Sequence, residues 1–205
     1  MPSMQAEAGA SLSSATTAPD HPRTPRGASS RHLVVLALAA ASAYGIDQAT
    51  KAWALDALAD GRPREVIGSF LRFQLTHNPG AAFSLGTNST IFITAIAVAV
   101  VIAVLFTARK LRSTGWALAF GLIVGGAVGN LTDRFLRPPG GGKGYVVDFL
   151  QLPNWPIFNV ADIAICTAAA LVVLLTFRGV GLDGIRDRDR ETDKDTENDG
   201  NEDAA

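Results

Sequence analysis

Four long apolar stretches dominate this chain of 205 residues and set the strongest limit on what it can fold into. A helix rises about 1.5 Å per residue, so about 20 residues cross the roughly 30 Å hydrocarbon core of a bilayer. The stretches run from Leu33 to Leu58, from Thr90 to Ala108, from Trp116 to about Leu131, and from about Phe158 to Phe177. They predict an all-α membrane protein with four transmembrane helices.

Two of these stretches are long enough only if they include polar residues. The first requires Asp47 and Lys51 to belong to the same helix, and the third requires residues 130 to 134 to lie at the membrane interface. An alternative for the first stretch is a cleaved secretory signal, because Ala41-Ser42-Ala43 resembles a small-residue cleavage site. The helix-compatible pattern continues past that point to Leu55, which favours a membrane helix.

The two ends of the chain predict disordered tails. Residues 1 to 30 are rich in Ala, Ser, Thr and Pro, and residues 179 to 205 are charged and low in complexity. Neither segment can bury enough apolar area to offset its ordering entropy. We therefore expect one four-helix membrane domain over residues 31 to 178 between two tails. The acidic end and the few bases at the other end exclude a nucleic-acid-binding patch.

The distribution of Lys and Arg predicts the orientation in the membrane. Basic residues precede the first stretch, fill the short second connection and follow the fourth stretch: Arg23, Arg26, Arg31, Arg109, Lys110, Arg112 and Arg178. The other two connections also carry bases, but they are longer and hold most of the interior acidic residues. Because short cytoplasmic loops are enriched in Lys and Arg, both termini are expected to be cytoplasmic.

The first outer connection has the pattern of a small sheet. Within the stretch from residue 64 to 75, residues 70 to 75 follow the period-two pattern of a strand, and residues 76 to 80 carry a turn signal. These features predict a β-structured cap on the extracytoplasmic face. The second outer connection, residues 138 to 144, is rich in Gly and Pro. It lacks a Ser or Thr after Lys143, so we expect a flexible loop and not a phosphate-binding loop.

Polar residues near the ends of the spans are the strongest functional signal. A charge at the centre of a membrane helix costs about 2.5 to 3.5 kcal/mol on insertion scales, so such residues usually have a function. In the predicted topology, several segments deliver polar groups to one depth near the outer surface: Asp47, Lys51, Asn78, Asn130, Asp133, Arg134, Asp148, Asn159 and Asp162.

Structural explanations compete with a functional one at several of these positions. Asp47 and Lys51 are four residues apart and can neutralise each other on one helix face. Asp133 and Arg134 can be interfacial charges that close a helix, and Asn159 can cap one. Cys166 lies in an apolar run and is expected to be a buried, inert thiol. Small residues in the third stretch predict close helix packing: Gly121, Gly125, Gly126 and Gly129.

Two of the aspartates, Asp148 and Asp162, suggest a specific chemistry. Two carboxyl groups held close in a partly buried site cannot both ionise easily, so they share a proton. The ionised group can accept a proton from water, and the protonated group can donate one to a carbonyl oxygen or a leaving nitrogen. A serine or cysteine mechanism is disfavoured, because no Ser or Cys in this region has a His nearby in sequence.

Five short blocks occur in a fixed order: Asp47 to Lys51, Asn78 to Ser84, Gly125 to Arg134, Val146 to Phe149, and Phe158 to Asp162. Together they resemble the lipoprotein signal peptidase family, also called signal peptidase II, over residues 33 to 178. Each block alone is weakly specific, whereas five blocks in this order with these spacings are highly specific.

The resemblance implies an aspartyl endopeptidase of the bacterial plasma membrane with no cofactor and no metal. It would cut the signal peptide from a prolipoprotein just before a cysteine that carries diacylglycerol. The partners expected are this diacylated substrate and membrane lipid, with no nucleic acid, and the protein is expected to be a monomer. By motif position, Asp148 and Asp162 form the catalytic dyad. Six further residues would shape the site and hold the substrate backbone: Asp47, Lys51, Asn78, Asn130, Arg134 and Asn159.

Two other classes of function remain open from the residues alone. A small proton-coupled transporter would use Asp47 and Asp162 as relay groups and would carry proton flux without proteolysis. The absence of inverted repeats in the sequence counts against it. A non-catalytic assembly factor would use the charges to pair helices, so neutralising Asp148 would destabilise it.

Overall fold

The computed structural model describes residues 30 to 80, 89 to 186 and 188. In chain order the main elements are α1 (Ser30–Ala57), β1 (Arg64–Ile67), β2 (Leu71–Asn78), α2 (Ser89–Thr107), α3 (Thr114–Leu136), β3 (Val146–Gln151) and α4 (Val160–Phe177). A single 3-10 turn, Ala108–Lys110, follows α2. The tail predicted over residues 1 to 30 lies outside the described residues except for Ser30, which begins α1.

Among the described residues, four helices are long and apolar enough to cross a membrane, as the sequence predicts. The first contains both Asp47 and Lys51 and continues without a break through residues 41 to 43. The third continues to Leu136 and therefore includes residues 130 to 134. Large apolar side chains on α2 and α4 are exposed, as expected for surfaces that contact lipid: Phe92, Ile102, Phe106, Val173 and Phe177.

Helix α3 lies at the centre of the bundle, where it packs against α1, α4 and α2. Its glycines allow close approach. An added Cβ on Gly125 would lie 2.4 Å from the Ala40 carbonyl oxygen of α1, and one on Gly126 would lie 2.7 Å from the Ala161 carbonyl oxygen of α4. The predicted packing role of these glycines is thus confirmed on two faces of the helix.

The three strands form one antiparallel sheet in the order β1-β2-β3. The sheet is attached to the end of α1, because Phe149 of β3 is buried with Ala54 and Leu58. The ring of Trp53 also meets the ring of Phe73 edge-on, at a centroid distance of 5.1 Å. This anchoring holds β3 beside the ends of α1, α3 and α4.

The sheet differs from the sequence prediction in two respects. Residues 76 to 78 belong to β2, whereas a turn was predicted there, because they pair with β3 in the register Thr76 to Asp148 and Asn78 to Val146. The third strand was not predicted. Its first four residues are all buried, so it lacks the alternation of apolar and polar side chains that reveals a strand with one exposed face.

Two loops are more structured than the sequence suggested. The Gly-rich connection packs on the end of α3, where Gly142 N and Gly144 N both donate to the Arg134 carbonyl oxygen at 3.0 and 2.9 Å. After α4, the indole of Trp116 donates to the Val180 carbonyl oxygen at 2.8 Å. Arg112 N donates to the Leu182 carbonyl oxygen at 2.8 Å. Residues 179 to 186 therefore pack on the membrane domain, beyond the predicted boundary at 178, and residues 187 and 189 to 205 lie outside the described residues.

The single cysteine is not buried as expected. Cys166 is exposed on α4. Because α4 is a candidate membrane span with other large apolar side chains on its surface, this face is suited to contact lipid rather than the protein core.

Candidate active site

A fully buried lysine lies at the base of the site. Lys51 Nζ of α1 is 2.9 Å from Asp47 Oδ2 and 2.8 Å from Asp133 Oδ2 of α3. It also donates to Asn130 Oδ1 at 2.9 Å. One ammonium group thus uses three donors on three acceptors, and this pairing offsets the cost of burying its charge.

Asp47 joins α1 to the beginning of α4. Its Oδ1 accepts a hydrogen bond from Ala161 N at 3.0 Å, although the two residues are 114 positions apart. Backbone N–H groups in the first turn of a helix have no partner within the helix, and a carboxylate there is also favoured by the helix dipole. Asn159 caps the same helix in a capping box with Asp162, so the structural role considered for Asn159 is confirmed.

Two asparagines connect this base to the two candidate catalytic carboxyl groups. Asn130 Nδ2 donates to Asp162 Oδ1 at 3.0 Å. Asn159 Nδ2 donates to Asp148 Oδ1 at 2.7 Å and to Asn130 Oδ1 at 3.1 Å. Because a lysine has no acceptor, the Asn130 atom that faces Lys51 must be the oxygen, and the amide nitrogen then faces Asp162.

Asn159 is the residue that both carboxyl groups share. Its side chain donates to Asp148, and its backbone N donates to Asp162 Oδ2 at 3.1 Å. Asp148 Oδ2 accepts a further bond from Asn78 Nδ2 of β2 at 2.9 Å. Each carboxyl group therefore accepts one hydrogen bond on each oxygen, which fixes the orientation of both.

Burial changes the acidity of Asp148, which lies on β3 outside the membrane helices and is 2% exposed. Loss of solvation raises the pKa of this carboxyl to about 6, and the nearby charge of Asp162 acts in the same direction. The amide donors of Asn78 and Asn159 and the charge of Lys51 oppose the increase in pKa because they favour the ionised form. A carboxyl with this pKa can exchange a proton near neutral pH.

Arg134 holds the loops around the site together. Its Nη1 donates to the Gly144 carbonyl oxygen at 2.9 Å and to the Asn78 carbonyl oxygen at 3.3 Å. The guanidinium group is buried, and it joins the end of β2 to the connection after α3.

A cavity of about 480 Å³ opens on these groups. Both Asp148 and Asp162 line it, together with Asn78, Asn130 and Arg134. Its remaining wall is mostly apolar. Three helices contribute Ile93, Thr94, Ala97, Val100, Ile123, Ala127, Leu131 and Ile165, and β3 and the connection before α4 contribute Val146, Trp155, Pro156, Ile157 and Phe158. The two carboxyl groups are thus placed beside other polar side chains in a cavity whose lining is otherwise mostly apolar.

The chemistry available here is that of carboxyl and amide groups. Within the described residues, no group of three or more His, Cys, Asp or Glu is arranged to hold a metal ion. The two aspartates can exchange a proton with a substrate or with water, and the asparagines and Arg134 supply hydrogen-bond donors around them.

Comparison with known proteins decides the family. The family model of signal peptidase (SPase) II matches residues 39 to 178. This chain belongs to the signal peptidase II family. The protein called lipoprotein signal peptidase in Leifsonia xyli is 49% identical over 158 residues, which cover 77% of this chain and 73% of that protein. The protein of the same name in Rhodococcus jostii is 44% identical over 162 residues, which cover 79% and 82%.

Two solved structures of a bacterial membrane enzyme, obtained by the in meso method, have the same fold. They superpose on this signal peptidase with TM-scores of 0.62 and 0.63 at 26% sequence identity. The superpositions cover 75% of this chain and 92% or 97% of the other chain. The helical bundle with its small sheet is therefore an architecture that bacterial membrane enzymes of known structure share.

All eight site residues predicted for this signal peptidase meet in one hydrogen-bonded network, but they occupy two layers. Asn78, Asn130, Arg134, Asp148 and Asp162 line the cavity. Asp47, Lys51 and Asn159 have no exposed surface and are not among the described residues that line it. Their contacts are with the protein itself, so they shape the site and do not reach the cavity.

Sequence reasoning undervalued one residue of this network. Asp133 was considered a possible interfacial charge, yet it is 1% exposed and pairs with both Lys51 and Arg137. Its Oδ2 also accepts from Val147 N of β3 at 3.2 Å, which attaches the sheet to α3. The spacing of Asn130, Asp133, Arg134 and Arg137 on one helix face was the available signal, because it places four polar groups side by side.

Proposed function

We propose that this signal peptidase is an intramembrane aspartyl endopeptidase of the bacterial plasma membrane. It removes the signal peptide from diacylglyceryl-modified prolipoproteins and cuts just before the lipidated cysteine. The name shared by the Leifsonia xyli and Rhodococcus jostii relatives supports a prolipoprotein substrate. The observation that carries the aspartyl mechanism is the pair Asp148 and Asp162, which line one cavity and are both hydrogen-bonded to Asn159.

The reaction needs one ionised and one protonated carboxyl group. The ionised aspartate takes a proton from a water molecule while the water oxygen attacks the carbon of the scissile peptide bond. The protonated aspartate gives its proton to the carbonyl oxygen, and a tetrahedral intermediate forms. Transfer of a proton to the amide nitrogen then breaks the carbon–nitrogen bond and releases the new amino terminus on the lipidated cysteine.

The shape of the cavity suits a substrate that stays in the bilayer. On α3 its lining extends from Arg134 to Ile123, which is about 16 Å along the helix axis at about 1.5 Å per residue. On α2 the lining residues Ile93, Ala97 and Val100 follow helical spacing and present one apolar face. An acyl chain or an apolar signal helix can therefore enter from the membrane while the peptide bond reaches the carboxyl groups.

Hydrogen-bond donors at the polar end would hold the peptide backbone. Asn78, Asn130 and Arg134 line the cavity beside the carboxyl groups and carry donors that carbonyl oxygens accept. Fixing an extended backbone in this way converts attack by water into a reaction within one complex, which is a large source of rate enhancement.

The proposed orientation places the sheet and the site on the outer side of the membrane. The connection between α2 and α3 contains Arg109, Lys110 and Arg112, and Arg178 follows α4. These four bases lie at the end of the bundle opposite the sheet, where the positive-inside rule predicts the cytoplasm. Both termini are then cytoplasmic, and the scissile bond of an exported lipoprotein meets the site after its signal helix has inserted.

The decisive experiment compares purified Asp148→Asn and Asp162→Asn with the unaltered protein on a diacylated precursor peptide. Each substitution retains shape but removes the acid–base function, so cleavage should fall by on the order of 10³-fold or more. Asp56→Asn, which changes an exposed aspartate near the end of α1, is the matched control and should cleave normally. Normal processing by either dyad variant would reject the mechanism.

An unlipidated precursor tested in parallel addresses the substrate. If the acyl chains bind in the cavity, the lipidated peptide should be cleaved much faster than the same sequence without lipid. Equal cleavage of both peptides would contradict a requirement for diacylglycerol in the substrate and would leave the aspartyl mechanism intact.

A further inference from the structure

A second cavity, of about 560 Å³, is a groove along the side of the helical bundle. Its walls come from α1 and α4, and Leu118 and Leu122 of α3 lie between them. Among the described residues it shares none with the cavity of the candidate active site, so it is a separate feature. Its lining is almost entirely apolar, since Ser42 and Thr167 are the two polar residues that the structure places there.

On α1 the groove follows one helical face that begins with a basic residue. Val35, Leu38, Ser42 and Ile46 line the groove, and their spacing of three or four residues keeps them on one side of the helix. Arg31 lies four residues before Val35 in the same helix. It therefore stands on this face, at the end of the bundle opposite the sheet.

On α4 the corresponding face ends with a basic residue. Ile163 and Thr167 line the groove, and Leu174 and Arg178 continue the same face, seven and eleven residues after Thr167. Arg178 N still donates to the Leu174 carbonyl oxygen at 3.1 Å, so the helical spacing includes this residue. The two faces that border the groove therefore run to Arg31 and Arg178 at the same end of the bundle.

This end of the bundle is positively charged. Arg31 and Arg178 are exposed, and neither has an ion-pair partner among the residues that the structure describes. Asp183 is the acidic residue described at this end, whereas further exposed bases lie there, among them Arg109, Lys110 and Arg112. An anion at this end of the groove would thus meet complementary charge from two helices.

The dimensions of the groove suit one acyl chain. From Val35 to Ile46 its lining extends about 16 Å along the helix axis, at about 1.5 Å per residue, and one leaflet fills about 15 Å of the hydrocarbon core. A helix roughly 10 Å across would occupy on the order of 1,250 Å³ over this length, which exceeds the volume of the groove. Leu38 and Ile163 are exposed at its border, so a lipid chain can enter sideways from the bilayer.

We propose that this groove binds one anionic phospholipid of the membrane leaflet at the end opposite the sheet. The lipid phosphate lies at Arg31 and Arg178, and one acyl chain lies along the groove between α1 and α4. In the orientation proposed above this is the cytoplasmic leaflet, whose anionic lipids attract bases beside membrane helices.

A bound chain would connect two helices that position the candidate active site. The groove ends at Ile46 and Val160, which directly precede the two residues of the hydrogen bond from Ala161 N to Asp47 Oδ1. Helices α1 and α4 meet at that bond, and an acyl chain would fill the space between them along the groove. The lipid is thus a structural ligand that supports the pairing of the first helix with the last.

The first test measures lipid binding by native mass spectrometry of the full-length protein in detergent. Phosphatidylglycerol should bind about tenfold more tightly than phosphatidylcholine with the same acyl chains. Arg31→Gln combined with Arg178→Gln should remove most of this preference. Arg109→Gln combined with Lys110→Gln removes the same charge at the same end of the bundle, away from the groove faces, and should keep it.

Two results of this comparison would overturn the inference. One is equal binding of the two lipids by the unaltered protein. The other is an equal loss of preference in both double variants, which would indicate a general attraction of anionic lipid to the basic end and not a site at the groove.

A second pair of variants tests the position of the acyl chain. Ser42→Phe places a ring in the groove at an exposed position and should weaken binding of long-chain phosphatidylglycerol about tenfold, since the ring displaces roughly two buried methylene groups. Binding of dibutyryl phosphatidylglycerol, whose chains are too short to fill the groove, should not change. Ala41→Phe, at the adjacent exposed position outside the groove lining, is the matched control and should bind both lipids normally.

Unchanged binding of the long-chain lipid by Ser42→Phe would contradict this position. A dimer of the unaltered protein that Ser42→Phe dissociates would assign the groove to a second copy of the chain and would also overturn the inference.

Crosslinking locates the lipid without a change in the protein. A phosphatidylglycerol with a diazirine in the middle of one acyl chain should label residues 35 to 46 or 160 to 167, and excess unlabelled phosphatidylglycerol should reduce this labelling. Excess phosphatidylcholine should reduce it much less. Labelling of these residues that neither lipid reduces would show contact with bulk lipid only and would reject the site.

Discussion

At the scale of single residues, the site depends on a buried positive charge that touches neither candidate catalytic carboxyl group. Lys51 is bound by Asp47 and Asp133, and it orients Asn130, which in turn donates to Asp162. Lys51 therefore affects the candidate catalytic Asp162 through Asn130, whose amide oxygen faces Lys51 and whose amide nitrogen donates to Asp162. Its effects on stability and on activity can be separated by experiment.

Lys51→Met should destabilise the protein by about 3 to 5 kcal/mol, because it leaves two buried carboxylates without their shared cation. Adding Asp133→Asn removes one of those charges and should recover much of the loss. Thermal unfolding in detergent micelles measures both effects. The double variant should remain poorly active, since Asn130 still lacks the donor that orients it; full recovery of kcat would contradict this role of Lys51.

The pKa of Asp148 gives a pH prediction. Burial raises this pKa to about 6, so the ionised form is lost as pH falls through that value. For a mechanism that needs one ionised carboxyl group, kcat/KM should decline below about pH 6, whereas an ordinary aspartate would sustain it to about pH 4. A pH profile on a lipidated peptide whose own groups do not titrate in this range measures the decline, which reports the pair jointly.

Asn78→Ala extends that prediction with a definite sign. The substitution removes a donor to the ionised carboxylate, so the pKa of Asp148 should increase further and the decline should begin at a higher pH. Thr50→Ala, on α1, removes a hydroxyl that donates to the carbonyl oxygens of Ile46 and Asp47 in the preceding helical turn, and it should leave the profile unchanged. A decline that moved to lower pH in Asn78→Ala would contradict the assignment.

At the scale of elements, α1 and α3 can approach closely because α3 has glycines, which carry no side chain, on the face that contacts α1. An added Cβ would lie 2.6 Å from the Leu36 carbonyl oxygen at Gly121 and 2.5 Å from Asp47 Oδ2 at Gly129. These glycines and Gly125 are spaced by four residues, so they form one face along α3. Backbone approach on this face brings Asn130 and Asp133 within reach of Lys51.

Gly125→Ala should therefore destabilise the bundle by about 1 to 3 kcal/mol, as overpacking does in other tightly packed interiors. Gly45→Ala is the matched control, because an added Cβ there meets nothing within 4 Å. That substitution should be neutral or stabilising, since alanine is more favourable than glycine in a helix by up to about 1 kcal/mol. Thermal unfolding in the same detergent compares the two, and equal effects would mean that the close contact does not limit stability.

The elements differ in how well the sequence predicted them, for physical reasons. The helices α2 and α4 follow from length and apolar composition alone. Strand β3 could not be recognised, because Val146–Phe149 is buried on both faces and gives no alternation. The sequence also gave no signal that residues 179 to 186 would pack on the bundle. Their packing depends on the carbonyl oxygens of Val180 and Leu182, which accept from Trp116 and Arg112 only once the chain has folded.

At the scale of the whole molecule, the sequence predicted which polar residues converge, but not how they are arranged in layers. Four separate segments carry polar residues at the same predicted depth, and the structure joins them in one network around Asn159. The division into a layer that lines the cavity and a layer behind it could not be predicted. It depends on which side of α1 faces α3, and Asp47 and Lys51 turn inward with the buried residues His32, Leu36, Ala43 and Ala54.

Cysteine labelling tests the proposed orientation. In a Cys166→Ala background, Ser69→Cys beside the sheet should react with a membrane-impermeant maleimide added to cells. The cell envelope outside the plasma membrane is made permeable to the reagent, while the plasma membrane stays intact. Thr114→Cys, exposed at the beginning of α3, should react only after the plasma membrane is broken. The opposite pattern would place the site on the cytoplasmic side.

The hydrogen bond from Ala161 to Asp47 also bears on when this protein becomes active. The ribosome synthesises α1 long before α4. A chain that ends before α4 therefore contains the Asp47 carboxylate without the Ala161 amide that donates to it, and it also lacks Asp162. Helix α4 must be made and must pack on α1 before Asp148 and Asp162 can line one cavity. We therefore expect a chain that ends before α4 to be inactive, because it lacks Asp162 and leaves Asp47 without the backbone donor of Ala161.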